Sequence, residues 1–159
     1  MRAASRLGQL VLLTVALTAC DPLVGVHASI TIPPDAIAAY SGAFPAQVLV
    51  TDDHDTHQIG APPHAHRIAV LCQKSDAAQQ LNYGRGGVGC AEETHLVAYV
   101  APIAPDQAGA VCGPLAEAKF VDAPPPVTKP AGRATLFAGM KGECGNHDAS
   151  TSITIAASP

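Results

Sequence analysis

The chain has 159 residues, with 13 Asp and Glu against nine Lys and Arg, a formal charge of −4, and 4% aromatic residues with no Trp. An acidic balance argues against a nucleic-acid partner, which selects a basic patch. Fourteen Gly and 14 Pro sit among apolar residues that are largely Ala and Val, which disfavours long helices and suits short strands joined by turns.

In chain order, Arg2 and Arg6 come first, followed by a mostly apolar segment from Leu7 to Ala19. A helix of that length rises only ~20 Å against a hydrocarbon core of ~30 Å, so it spans a membrane poorly and suits the core of a signal peptide. The segment closes on Leu17-Thr18-Ala19-Cys20, which resembles the lipobox of a bacterial lipoprotein signal peptide. The resemblance covers the first 20 residues. It implies cleavage before Cys20, a lipid on that thiol, and a domain at the cell envelope, anchored to a membrane on its extracytoplasmic side. In enterobacterial lipoproteins an aspartate in the place of Asp21 implies retention in the inner membrane. The domain plan is then a signal peptide over 1–19 and one lipid-anchored domain over 20–159. Losing Arg2 and Arg6 leaves seven Lys and Arg against 13 Asp and Glu, a formal charge of −6. That balance argues against a second, electrostatic anchor on anionic lipid.

Val24 to Ile32 alternates, with Val26, Ala28, Ile30 and Ile32 on one face and His27, Ser29 and Thr31 on the other, the pattern of a half-buried strand. Pro33-Pro34-Asp35 stops it. Ala46 to Thr51 reads as a second strand. Arg67 to Cys72 carries the continuous run Ile68-Ala69-Val70-Leu71, expected of a strand buried on both faces. Residues 73–94 read as a long loop, with Gly84, Gly86, Gly87 and Gly89 around Arg85. Leu96 to Ala101 is an apolar strand, Ala118 to Val121 and Ala134 to Ala138 are weaker ones, and Ser150 to Ala156 closes the series. Two-turn helices fit 35–40 or 74–82, and the Pro-rich stretches 102–106 and 123–130 fit connections between strands. About seven short strands predict an all-β chain, a small antiparallel β-sandwich of immunoglobulin-like or related type. The Cys…Trp…Cys signature of true immunoglobulin domains is absent.

After Cys20 four cysteines remain, Cys72, Cys90, Cys112 and Cys144. An even number in an exported chain reads as two disulfides. Of the three possible pairings, closure of near neighbours favours Cys72–Cys90 with Cys112–Cys144. The absence of any C-x-x-C argues against a thiol metal or redox site.

One constellation carries chemistry. Asp52, Asp53, His54, Asp55, His57, His64 and His66 fall within 15 residues. His64 and His66, two apart, project from one face if they enter the strand that follows. Such a pair can grip zinc or copper, with His54 or His57 as a third ligand and Asp52, Asp53 or Asp55 as ligand or support. The plainer reading of the same residues is a solvated polar loop. His-x-His on a β-sandwich is similar to copper–zinc superoxide dismutases, but the Gly-Asp-Leu-Pro pattern of that family is missing. The chain contains no G-x-S-x-G, no H-E-x-x-H and no P-loop. The expectation is therefore a non-catalytic envelope lipoprotein whose β-sandwich is a binding or structural module for an envelope protein. The alternative is a zinc- or copper-binding lipoprotein using residues 52–66.

Overall fold

The computed structural model describes residues 23–52, 64–89, 92–103, 111–122, 130–138 and 148–157. Cys20 and the signal segment lie outside these residues. Among them, eight strands and one short helix follow one another: β1 (Leu23–Ile32), α1 (Pro34–Ala39), β2 (Ala46–Asp52), β3 (His64–Leu71), β4 (Gln79–Gly89), β5 (Glu92–Pro102), β6 (Gly113–Asp122), β7 (Ala131–Ala138) and β8 (Ala149–Thr154). They form two sheets, β4-β1-β8 and β6-β3-β2-β5-β7. This is the all-β sandwich expected from the composition. Every pairing is antiparallel except β1 with β8, which run parallel.

The alternation in β1 is realised: Val26, Ala28, Ile30 and Ile32 are buried, while His27 and Ser29 are exposed. The core between the sheets is filled by this row together with Val48 and Val50 of β2, Ile68 of β3, Leu81 of β4, Leu96 of β5 and Ile153 of β8. Each such aliphatic side chain contributes ~1.5–3 kcal/mol on burial. The helix α1 covers one end of this core through Ala36 and Ile37. It overlaps the two turns expected at 35–40 and begins one residue earlier. Pro34 supplies a preset φ in its first turn, and the Asp35 carboxylate accepts the Ala36 N–H at 3.0 Å.

β2 and β3 are buried on both faces, as the continuous run Ile68 to Leu71 requires. On the face turned away from the other sheet lies a second buried cluster, Leu49, Ala65, Tyr99 and Ala101. Burial pushes the Tyr99 phenol up to about 12 from its ordinary 10.0. Unfolding returns that phenol to its ordinary value. The associated stability is therefore complete below pH 10 and is lost as pH rises towards 12. A phenolate absorbance titration should show a late step near pH 12, and Tyr99→Phe should remove that step and flatten the alkaline loss of stability.

Residues 73–94 are not one long loop. Gln79–Gly89 forms β4, which pairs with β1 from Ile32↔Gln79 to Leu23↔Gly89. Its Leu81 and Tyr83 face the core, and that burial outweighs the poor strand propensity of its glycines. The helix that fits 74–82 does not form. The cysteine pairing is also corrected. Cys72 bonds to Cys112, with Cα atoms 5.7 Å apart, and not to Cys90. The reason is the sheet: β3 and β6 are antiparallel neighbours with Val70 opposite Gly113, which sets Cys72 and Cys112 beside each other at one sheet end. Cys90 and Cys144 lie outside the described residues.

On one flank the two sheets are joined. Ala131 bridges to Ala156, and a Cβ on Gly132 would collide with the Thr154 carbonyl, so β7 and β8 meet only because that residue is Gly. On the other flank each sheet ends in an edge strand, β4 in one and β6 in the other. Among the described residues no strand pairing closes the seam between these two edges.

Candidate functional site

The seam contains a groove of about 690 Å³, lined by His66 of β3, Tyr83 and Arg85 of β4, and Leu115 and Phe120 of β6. A second groove, of about 670 Å³, lies along the same flank beside the Cys72–Cys112 bridge. β6 is irregular here: its register against β3 slips between Arg67↔Lys119 and Ala69↔Pro114. Such a slip marks a bulge, which turns an edge strand away from regular pairing.

Asp52 closes one end of the groove. As the last residue of β2 it continues the inward row of Val48 and Val50, and it is buried at 3% exposure. Its carboxylate accepts the Tyr83 O–H at 2.8 Å through Oδ2 and the Arg85 guanidinium at 2.6 Å through Oδ1. Both donors come from β4, so one carboxylate ties the two sheets together. Charge-assisted bonds of this kind are about twice as strong as neutral ones, and the pairing gives the buried charge the partner it needs. The Arg85 side chain is 27% exposed against 2% for Asp52, so the guanidinium reaches the mouth of the groove.

His66 stands next to this bridge. It lies on β3 opposite Val50 and opposite Phe120 of β6. Its ring is tilted against Tyr83, with centroids 5.4 Å apart, and against Phe120, at 4.3 Å. These spacings are those of packed aromatic pairs. The ring is a packed wall of the groove and is only 6% exposed.

The structure brings Asp52 and His66 to the same place, around Tyr83. Asp52 serves Arg85 and Tyr83, and His66 packs between two rings. His64 does enter β3, opposite Asp122, but its side chain lies outside the described residues. So do Asp53, His54, Asp55 and His57. Among the described residues no group of three His, Cys, Asp or Glu side chains is placed to hold a metal ion. Glu93 and His95 lie on β5, with the His95 ring 3.5 Å from the Glu93 carboxylate and 3.2 Å from the Thr135 hydroxyl.

Sequence reading missed Tyr83, Arg85 and Phe120. The spacing of Leu81 and Tyr83 was the available signal for β4, masked by the glycines that follow. No protein-family model matches the chain, and neither a characterised protein nor a solved structure does.

Proposed function

We propose that the chain is a non-catalytic, lipid-anchored envelope protein whose β-sandwich binds an extended segment of a protein partner along the seam between β4 and β6. One observation carries the reading. Among the described residues the two large apolar side chains left exposed are Val111 at 81% and Phe120 at 69%. Both belong to β6 or its approach. An edge strand offers backbone donors and acceptors to an added strand, and an exposed aromatic beside a groove supplies the anchor that such contacts use.

The lipid anchor is supported by the run Leu17-Thr18-Ala19-Cys20 after a short apolar segment. No helix among the described residues is long and apolar enough to cross a membrane. Cys20→Ser should block lipid labelling and release the chain from the membrane fraction. Unchanged retention of that variant would contradict the anchor. Phe120→Asp should abolish partner binding without unfolding the domain, because it alters an exposed position.

A further inference from the structure

We propose that the Cys72–Cys112 bridge is a site of thiol–disulfide exchange with a dithiol, and that opening it releases residues 113–118 of β6 while the rest of the sandwich stays folded. Both cysteines are exposed, and both line the groove of about 670 Å³ at their end of the flank. A thiol therefore has room to approach the bridge from the groove without unfolding the core. Access is one of the factors that set the rate of exchange, and exposed disulfides are the labile ones.

The surroundings make this bridge the main hold on the segment that follows it. Among the described residues β3 is the only strand that pairs with β6. Next to the bridge their ladder has two positions, Val70↔Gly113 and Ala69↔Pro114, and it resumes only at Arg67↔Lys119. Pro114 has no N–H to give to it. Side chains add little, because Pro114, Ala116, Glu117 and Ala118 are exposed and Leu115 is half-buried. Gly113 joins the bridge to the strand at φ +110°, a conformation that glycine takes at no steric cost. Residues 113–118 are thus held between the disulfide at one end and the ladder of His64–Arg67 with Lys119–Asp122 at the other. By contrast, β2 has ladders with β3 on one side and β5 on the other and is buried on both faces. Its amides report opening of the whole sandwich.

The exchange balances as follows. A thiolate of the dithiol attacks one sulfur of the bridge. The S–S bond breaks, a mixed disulfide forms, and the other cysteine leaves as a thiolate that takes up a proton. The second thiol of the dithiol, deprotonated, attacks the mixed disulfide and frees the second cysteine, which is protonated in turn. Two electrons and two protons pass to Cys72 and Cys112, and the dithiol ends as a disulfide. The effect reaches the seam, because Leu115, Ala116, Glu117 and Ala118 line its groove of about 690 Å³. The bridge therefore fixes one wall of that groove, and its reduction loosens the wall. Neither the exchange nor the loosening depends on what the seam binds.

The test uses the full chain in detergent micelles, with dithiothreitol as the dithiol. Samples are quenched with excess iodoacetamide, and the alkylated cysteines are located by peptide mass spectrometry. Cys72 and Cys112 should become alkylated while the amides of β2 keep their protection from exchange. Cleavage after Glu117 by a glutamate-specific protease should then be at least about tenfold faster than in the bridged chain, because the closed loop no longer restrains the segment. Cys72→Ser with Cys112→Ser should be cut at the faster rate without dithiothreitol. If that variant does not fold, the two measurements on the wild type decide alone. Alkylation of Cys72 and Cys112 only when β2 loses its protection would overturn the proposal. So would a reduced chain that is cut after Glu117 no faster than the bridged one.

Discussion

Replacing Asp52 with alanine is expected to lower the stability of the domain by about 3 kcal/mol, read from the denaturant midpoint. The carboxylate is almost wholly buried and holds Tyr83 and Arg85 of the opposite sheet. Removing it deprives the Tyr83 phenol and the Arg85 guanidinium of that acceptor. Arg85 is partly exposed and regains some hydration, which places the cost at the lower end for a broken buried pair. Asp52→Asn keeps an acceptor for the Tyr83 hydroxyl and loses only the charge, so it should cost about 1–2 kcal/mol. If both variants matched the wild type, the bridge between the sheets would have no energetic role.

Cys72→Ala with Cys112→Ala should cost about 4 kcal/mol in the chain-entropy description, for a sequence separation of 40 residues. That is a large share of a small domain's ~5–15 kcal/mol. The loss should fall on β6, whose only strand neighbour among the described residues is β3 and whose register against it slips. Amide exchange in β6 should speed up in the double variant before exchange in β2 does. With Cys72 and Cys112 bonded to each other, Cys90 and Cys144 remain as the pair for a second bridge. β4 ends at Gly89 beside Leu23, and β8 begins at Ala149 beside Val26, so both segments leave from the same end of β1. Non-reducing digestion should yield one cross-linked peptide joining Cys90 to Cys144. A free thiol at either position would contradict the two-disulfide reading.

What was legible in the sequence was what depends on local period. β1 shows its alternation, β3 its apolar run, and Pro33-Pro34-Asp35 the break between β1 and the helix. What was not legible depends on distant partners. β4 is a strand because β1, roughly fifty residues earlier, gives it a ladder and because Tyr83 finds Asp52 across the sandwich. Its glycines, taken alone, signal a loop. The Cys72–Cys112 bridge follows from the β3–β6 register, which no local spacing encodes. His66 shows what local spacing leaves out. Its position two residues after His64 places it on a strand, but only the second sheet turns that strand face into a wall buried against aromatic rings. Phe120 shows the converse. An aromatic in a strand is ordinarily core, and its exposure comes from standing on an edge strand that none of the described strands of the other sheet covers.

The claim that the β4–β6 seam is the binding surface is tested most directly by a photo-crosslinking residue placed in the full chain, in its own cells. One variant carries it at Phe120 in the seam, the other at the exposed Arg133 on β7, the opposite edge of the same sheet. The account predicts a discrete higher-mass adduct from position 120 and none from position 133. No adduct at 120, or equal adducts at both positions, would contradict it.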